Sequence, residues 1–361
     1  MDITKSFKHF IFRQYRQQET QKHILNYLFW ECTLRCNLSC LHCGSDCLKK
    51  QSATDMPIKD FVKVLDNIKQ HNPLKNIMIC ITGGEPLMRS DLEIAGEEIV
   101  KRGFKWGIVT NALTLTQQRF HSLLKAGISS ISISLDGFEE HHNRLRQNNL
   151  SYKNAITAIE MLVNLNKKQN FTYDIITCAN KFNLNTLEKF RDMLIYKGVN
   201  SWRIFSIFPE GRAEKNNNLL ALNKQEYKQL IEFIAQTRKQ HSKNIRLNYS
   251  CEGYLGKYEL EARDYFYFCR AGINVASVMN NGDVTGCLSV RAQDFIQGNI
   301  YKEQFMDIWY NKYQILRQRE WAKKGICDNC KQWKKCLGNG LHLHSSLTDE
   351  VSRCNYKELN T

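Results

Sequence analysis

The chain has 361 residues, enough for one barrel-sized domain of about 200–250 residues plus a module of about 100. With 42% hydrophobic and 24% charged residues, it is neither a fibrous nor a disordered chain. Its formal charge of +15 fits a lysine-rich surface as well as an acidic peptide or nucleic-acid partner.

The sequence predicts neither a signal peptide nor a membrane span. No segment approaches the roughly 18 consecutive apolar residues of a membrane span, and residues 1–16 contain no apolar signal-peptide segment. We therefore expect a cytoplasmic protein with no membrane partner. Thiols stay reduced in the cytoplasm, so the 14 cysteines predict metal or cluster sites rather than disulfides.

The first predicted element is a short amphipathic helix through Phe7, Phe10, Ile11 and Tyr15, which we expect to cap the barrel rather than to recognise a leader peptide. From about residue 24 to 241, short apolar runs alternate with longer amphipathic ones, which predicts parallel strands joined by helices. The predicted strands are Tyr27–Cys32, Ile77–Thr82, Lys105–Thr110, Ser129–Leu135, Thr172–Cys178 and Trp202–Phe208. The predicted helices are Ile58–Gln70, Asp91–Arg102, Thr116–Ala126, Tyr152–Lys168, Leu184–Lys197 and Lys224–Gln240.

Six strand–helix units predict an α/β fold, an open partial (β/α)6 barrel that spans residues 1–243 with its short N-terminal helical extension. In parallel α/β folds the chemistry lies at the C-terminal ends of the strands, in the loops that follow them. The distinctive residues of this chain fall in those loops.

The loop after the first predicted strand holds Cys36, Cys40 and Cys43. Three thiolates at spacings of four and three residues can hold a [4Fe-4S] cluster and leave its fourth iron open, as a catalytic metal requires. A fourth ligand from Cys32 or Cys47 would close the cluster, and zinc would also accept this set. The spacing alone leaves these alternatives open.

The loop after the second predicted strand reads TGGEP over residues 82–86. Paired glycines let the backbone approach a ligand closely, although a turn before a helix explains them equally well. Placed one strand behind the cysteine loop, this motif resembles the hallmark of the radical S-adenosylmethionine (SAM) superfamily. Four later motifs extend the resemblance: TNA at 110–112, SISLDG at 132–137, HNRLR at 142–146 and PEGRA at 209–213.

In that superfamily an open iron chelates the methionine part of SAM, whose reductive cleavage gives a 5′-deoxyadenosyl radical that takes hydrogen from the substrate. The resemblance implies that Cys36, Cys40 and Cys43 hold the cluster. It implies no chemistry for His42, at a position that is aromatic in many members. It implies that Gly83, Gly84 and Glu85 hold the methionine ammonium of SAM. It further implies that Asn111 and Ser134 contact its ribose and methionine end and that Arg146 pairs with its carboxylate.

After about residue 244 the alternation stops. Ile273–Met279 and Asp283–Leu288 predict a hairpin around an Asn-Asn-Gly turn. The cysteine-rich tail from Ile326 has too few apolar residues to fold without a metal centre. We expect a small cysteine-rich α+β module over residues 244–361.

The order of the later cysteines resembles the SPASM extension of radical SAM enzymes, which carries auxiliary [4Fe-4S] clusters. Gly340 stands where the full pattern has another cysteine, so the resemblance leaves one or two auxiliary clusters open. Cys251, His342 or His344 could complete the inner cluster, and a zinc ribbon is the alternative for the tail. The implied auxiliary ligands are Cys269, Cys287, Cys327, Cys330, Cys336 and Cys354.

A second departure concerns the substrate base. Sulfatase-maturing relatives carry an aspartate directly after the inner-cluster cysteine, whereas Leu288 follows Cys287 here. Glu210 and Asp283 are other candidate bases, and neither stands out in the sequence. The motifs therefore identify no catalytic residue beyond the cofactor ligands.

The leading hypothesis is a radical SAM/SPASM enzyme that modifies a peptide or protein side chain and takes electrons from a low-potential, flavodoxin- or ferredoxin-like donor. The first alternative is a small-molecule dehydrogenase or rearrangement enzyme of the related twitch type. An alternative of another class is a non-catalytic iron–sulfur or zinc protein that binds nucleic acid. The intact cysteine loop and GGEP motif argue against that class, because a pure binding protein would not need them.

Overall fold

The structure, a computed structural model, describes residues 3–49, 54–71, 76–207, 209–250 and 252–360, with side chains from residue 7 onward. In these described residues, ten strands form one sheet. In chain order, β1 to β10 are Tyr27–Thr33, Met78–Gly83, Lys105–Thr110, Ser130–Ser134, Thr172–Ala179, Ser201–Ser206, Arg246–Tyr249, Val275–Val278, Asp283–Thr285 and Gly298–Asn299. Their order in the sheet is β10-β9-β8-β1-β2-β3-β4-β5-β6-β7.

Helices cover the outside of this sheet. From α1 to α10 they are Ile3–Lys22, Ile58–His71, Leu92–Lys101, Gln117–Lys125, Glu139–Arg146, Ser151–Lys168, Leu187–Tyr196, Arg212–Lys215, Asn217–Leu220 and Lys224–His241. From α11 to α15 they are Glu259–Ala262, Phe305–Asn311, Gln314–Arg317, Trp333–Cys336 and Asn355–Asn360.

The strands β1 to β7 are all parallel to their neighbours, as strand–helix alternation predicts. The α/β fold with a partial barrel and a cysteine-rich C-terminal part is therefore confirmed. Each predicted strand and helix has a counterpart whose ends differ by three residues or fewer. The predicted end of the sixth strand, Phe208, lies outside the described residues.

The core forms where helices place apolar side chains on the sheet. In α2, Phe61, Leu65 and Ile68 are buried at intervals that put them on one helix face. Phe61 stacks on Trp30 of β1, with ring centroids 4.1 Å apart and planes at 4°. Burying one such side chain stabilises the fold by about 1.5–3 kcal/mol.

The sheet extends beyond the six predicted strands at both edges. At one edge β7 pairs with β6, and at the other β8 pairs in parallel with β1 and forms the predicted hairpin with β9. The strands β7, β8 and β9 all lie after residue 243, so strands from both sides of the predicted domain boundary form one sheet. The division at 243/244 stays a prediction.

The helix α1 is 20 residues long and packs on the C-terminal part of the chain. The Phe12 ring lies 5.3 Å from that of Phe266, and Arg16 donates to the carbonyl oxygens of Lys334 (2.7 Å) and Lys335 (2.9 Å). The face through Phe7, Phe10, Ile11 and Tyr15 is exposed, so the expectation that it caps the barrel is wrong. Within the described residues, no helix is both long and apolar enough to cross a membrane.

Candidate functional site

The cysteine loop, residues 34–49, lines a cavity of ≈310 Å³ at the C-terminal ends of the strands, here called the strand-end cavity. Cys36 and Cys40 are buried in its wall, and Cys43 is partly exposed to it. Every residue that the resemblance connects with SAM lines the same cavity: Gly83, Gly84, Glu85, Asn111, Ser134 and Arg146. The fold thus brings together residues that are more than 100 positions apart in the sequence.

The two cysteines considered as a fourth ligand lie in different places. Cys32 packs in the main hydrophobic core, with none of its surface exposed. Cys47 lines the strand-end cavity beside Cys43, and its thiol donates to the Ser45 carbonyl oxygen (3.7 Å). Of the two alternatives, the structure places only Cys47 beside the three-cysteine set.

Arg212 holds the cysteine loop from the far side of the barrel. Its Nε donates to the carbonyl oxygen of Cys40 (2.9 Å), and its Nη2 donates to that of Cys47 (2.9 Å). Gly211 takes a φ of +59°, and a Cβ there would lie 2.6 Å from the carbonyl oxygen of Gly44. The PEGRA motif therefore fits tightly against the loop, a role that its sequence alone did not reveal.

The glycines of the GGEP motif lie against the backbone that leaves β1. A Cβ on Gly83 would lie 2.2 Å from the carbonyl oxygen of Thr33, and one on Gly84 would lie 2.1 Å from that of Arg35. The Gly84 N–H donates to the Thr33 carbonyl oxygen (2.8 Å). Only glycine permits this approach, which holds the motif beside the cysteine loop.

Glu85 is almost completely buried and braces β2 against β3. Its carboxylate accepts hydrogen bonds from Thr110 Oγ1 (2.7 Å), the Asn111 N–H (2.8 Å) and the Leu87 N–H (3.1 Å). A carboxylate has about four acceptor positions, so these three bonds leave one for a ligand donor. The predicted contact with the SAM ammonium stays a prediction that this geometry permits.

Arg146 and Asp136 form a buried ion pair beside the cysteines. Arg146 Nε donates to Asp136 Oδ2 (2.7 Å), and Arg146 Nη1 lies 3.7 Å from Cys40 Sγ. Burial acts to raise the pKa of Asp136, but the Arg146 guanidinium opposes it strongly and the pKa falls to about 2. Asp136 also accepts from the Cys178 N–H (2.9 Å), so it anchors the arginine to β5.

His42 reaches the strand-end cavity, where the sequence indicated no chemistry. Burial, followed by the nearby Arg146 guanidinium, lowers its imidazole pKa to about 4. Its Nδ1 atom is buried and has no hydrogen-bond partner in the described part of the protein. A neutral imidazole with an unpaired nitrogen in this wall is suited to contact a polar ligand.

A second cavity of ≈280 Å³ adjoins the first and connects the two cysteine-rich regions; we call it the bridging cavity. It shares Cys43, Gly44, Thr82 and Gly83 with the strand-end cavity. Its opposite wall comes from the C-terminal part, through Cys287, Leu288, Ser289 and Arg291.

The charged groups of the bridging cavity are Glu31, Glu210 and Arg291. Arg291 forms an ion pair with the buried Glu31 of β1 and donates to Ser45 Oγ (2.8 Å), so it joins the two parts of the chain. Burial raises the pKa of Glu210 to about 7, although Arg291 acts to lower it. Of the two candidate bases, Glu210 lines this cavity, whereas Asp283 is bonded to Asn281 on the hairpin turn.

The later cysteines form two groups. Cys269 lies near Cys287, whereas the thiol of Cys336 lies near those of Cys327 and Cys354. Burial, followed by the thiols of Cys354 and Cys330, raises the pKa of Cys327 to about 11. This arrangement suits an inner and an outer cluster. In the described residues, no three His, Cys, Asp or Glu side chains converge closely enough to hold a single metal ion.

Arg319 lies buried between the two groups. Its Nη2 donates to the Cys269 carbonyl oxygen (3.3 Å), and its Nη1 donates to that of Asn339 (3.1 Å). Burial acts to raise the pKa of the Cys269 thiol, but Arg319 and backbone N–H groups lower it overall. The charge of Arg319 also interacts with the thiol of Cys336. A thiolate-bound cluster carries negative charge, so this guanidinium fits the predicted iron–sulfur sites.

Gly340, where the pattern has a cysteine, lies against the His342 ring. A Cβ at this glycine would lie 2.5 Å from His342 Cε1. The neighbouring His344 hydrogen-bonds through Nε2 to the Gly338 carbonyl oxygen (2.7 Å). Cys251, the third candidate for the inner cluster, lies outside the described residues. The number of auxiliary clusters stays a prediction.

Comparison with known proteins gives two domains. Residues 30–194 match the model of the radical SAM superfamily, and residues 269–331 match that of the SPASM iron–sulfur cluster-binding domain. Both imply SAM and [4Fe-4S] clusters as cofactors, and the second favours iron–sulfur clusters over a zinc ribbon.

Similar proteins cover most of the chain. AdoMet-dependent heme synthase of Methanosarcina barkeri is 25% identical over 91% of this chain and 95% of its own. Mycofactocin maturase MftC of Mycolicibacterium smegmatis is 25% identical over 86% of this chain and 76% of its own. The structure of Streptococcus suis SuiB bound to precursor peptide SuiA matches with a TM-score of 0.72 and 18% identity, over 94% of this chain and 78% of that one.

Proposed function

We propose that this chain, a radical SAM superfamily enzyme with a SPASM iron–sulfur domain, modifies a side chain of a peptide or protein. The bound SAM and cluster would supply a 5′-deoxyadenosyl radical when reduced. Cys36, Cys40 and Cys43 would hold that cluster, and the strand-end cavity would hold SAM. The later cysteines, including Cys269 and Cys287, would hold the auxiliary cluster or clusters.

The bridging cavity is the observation that carries this proposal. It lies between the cysteine loop and the wall that contains Cys287. A substrate group in it would therefore lie beside SAM on one side and beside the inner cysteines on the other. Its ≈280 Å³ lies at the lower end of the about 300–1,000 Å³ usual for pockets that enclose a small molecule, and it has room for one side chain of a larger substrate.

Glu210 is the proposed proton acceptor in this cavity. A substrate radical that is oxidised further must lose a proton and an electron, and the auxiliary cluster at Cys269 and Cys287 would accept the electron. With its pKa raised to about 7, Glu210 is partly ionised near neutral pH and suited to take that proton. Sulfatase-maturing relatives have an aspartate base at the position of Leu288. Glu210 would take over that role from the opposite wall of the cavity.

Similar proteins support a peptide substrate without settling it. MftC is named a mycofactocin maturase, another relative is named PqqA peptide cyclase, and SuiB was solved with a precursor peptide. The positive charge of +15 would attract an acidic segment. A flavodoxin- or ferredoxin-like protein would supply the low-potential electron.

A second candidate is the oxidation of a carboxylate-bearing tetrapyrrole. The observation that favours it is the 25% identity to a heme synthase along 95% of that protein. The cavity could admit one arm of such a substrate. Arg291, the cation that would bind a substrate carboxylate there, is already paired with the buried Glu31, so the site favours this candidate less.

Substrate-dependent SAM cleavage distinguishes the two. The reconstituted, reduced protein receives SAM with either a pool of acidic peptides or an iron coproporphyrin, and 5′-deoxyadenosine is measured together with the mass of each candidate substrate. Peptide modification coupled to SAM cleavage supports the proposal, whereas turnover of the tetrapyrrole alone contradicts it. Cys80→Ala serves as the control for the loss of a cysteine that is not a predicted cluster ligand, because Cys80 is buried in β2 among the strands.

A further inference from the structure

The helix α1 exposes an apolar face to solvent. Phe7, Phe10 and Ile11 are 63%, 54% and 52% exposed. Positions i, i+3 and i+4 lie on one side of a helix, so the three side chains form a continuous patch, here called the α1 patch. Large apolar groups scattered singly on a surface need no explanation, but an ordered patch does.

Packing on the opposite side fixes the orientation of this patch. The His9 ring packs against Phe266 with centroids 4.0 Å apart and planes tilted by 33°, and Phe12 contacts the same ring. Arg16 is 8% exposed and is bonded to two backbone carbonyl oxygens of α14. The helix cannot turn the α1 patch inward without breaking these contacts.

The surroundings of the α1 patch are basic. Lys8 and Arg13 are exposed, and a rotation of about 100° per residue places them on the two borders between the outward and packed faces. Residues 3–18 contain no Asp or Glu.

From this arrangement we infer that α1 binds the surface of an anionic lipid bilayer. An apolar centre with Lys and Arg on its borders is the pattern of a helix that lies in the membrane interface, with aromatic side chains among the headgroups. The basic borders match anionic headgroups in charge. The absence of a membrane span, on which the expectation of no membrane partner depended, does not bear on such a helix.

Two other occupants fit less well. With a Phe side chain taken as about 200 Å², the α1 patch exposes roughly 300 Å², far below the ~800 Å² per partner of a stable dimer. A helical peptide needs a groove, whereas the α1 patch is the convex side of one helix. A deformable lipid surface needs neither a groove nor a large area. This inference does not depend on the proposed function.

Vesicle flotation tests the inference with the full chain. We expect the protein to float with phosphatidylcholine vesicles that contain an equal part of phosphatidylglycerol, at least about tenfold more than with phosphatidylcholine alone, and less at high salt. Phe7→Ser with Phe10→Ser should reduce binding at least about tenfold, because the apolar anchor is lost. Lys8→Glu with Arg13→Glu should have a similar effect on the anionic vesicles.

The matched control is Leu150→Ser with Tyr196→Ser, which removes two apolar side chains that are 58% and 91% exposed elsewhere. It should float like the wild type. No flotation, or equal loss in the control, would overturn the inference. So would a dimer in size exclusion that Phe7→Ser with Phe10→Ser abolishes, or binding of polyglutamate through the same residues without flotation.

Discussion

Arg212 is predicted to decide whether the cysteine loop can retain its cluster. The side chain donates to the carbonyl oxygens of Cys40 and Cys47 and pairs with Asp46 at 2.7 Å. Arg212→Leu keeps much of the side-chain volume but removes all of these bonds. The two carbonyl oxygens then lack this partner, on a loop that must present three thiols in a fixed arrangement.

The expected magnitude follows from the burial of these groups. Hydrogen bonds from a charged donor contribute about 1.5–3 kcal/mol each, and the Arg212 side chain is only 14% exposed. We count the Asp46 contact as about zero, because that side chain is 46% exposed to solvent. The lower end for two bonds, about 3 kcal/mol, changes the balance between ordered and open loop by roughly 10²-fold.

The assay is iron and sulfide per chain after anaerobic reconstitution, with the unfolding temperature measured in parallel. We expect Arg212→Leu to lose most of the iron of this cluster while the auxiliary iron remains. Lys215→Ala is the control, because Lys215 is 73% exposed and lies 3.7 Å from the same Asp46. Full iron content and wild-type SAM cleavage in Arg212→Leu would refute the reasoning.

Three further predictions concern buried polar side chains. His142 accepts the Asp136 N–H (3.0 Å) through Nδ1, and burial lowers the imidazole pKa to about 3. The stability that the neutral imidazole contributes is present above pH 6.5 and is lost as the pH falls toward 3. The free energy of unfolding of His142→Gln, measured in urea, should therefore depend less on pH in that window than that of the wild type. Arg319→Met should lower the midpoint potential of the cluster at Cys269, measured by redox titration, because it removes a buried positive charge; an unchanged potential would contradict the placement. His42→Phe should weaken SAM binding by less than about tenfold in calorimetry, since it removes one polar contact and keeps an aromatic ring, and a complete loss would show a larger role.

The strands and the cysteine loop were predictable because their signals are local. Apolar runs mark the parallel strands, and three cysteines at short spacings mark the loop that follows the first one. The rule that loops at the C-terminal strand ends carry the chemistry then placed residues as distant as Cys36 and Arg146 at one edge. The structure confirms that they share the strand-end cavity.

The contacts that join the two parts of the chain were not predictable. The pairing of β8 with β1 links residues about 250 positions apart, and nothing in either segment specifies its partner. The ion pair of Arg291 with Glu31 and the grip of Arg212 on the cysteine loop are equally long-range. An isolated arginine in a sequence does not indicate which buried carbonyl or carboxylate it will meet.

The orientation of α1 shows a different limit. Its apolar residues fall on two faces, one through Phe12 and the other through Phe7, Phe10 and Ile11. Periodicity predicts a helix but cannot tell which of two apolar faces is buried. The face predicted to cap the barrel is the one that the structure leaves exposed.

The central claim is that the three-cysteine loop holds the cluster at which SAM is cleaved. The direct test is 5′-deoxyadenosine release from the reconstituted, dithionite-reduced protein with SAM and its working substrate pool, beside the variant that combines Cys36→Ala, Cys40→Ala and Cys43→Ala. We predict release by the wild type and none by the variant, which should keep its auxiliary iron. Equal release by both proteins, or a cluster-loaded wild type that neither binds nor cleaves SAM, would contradict the claim.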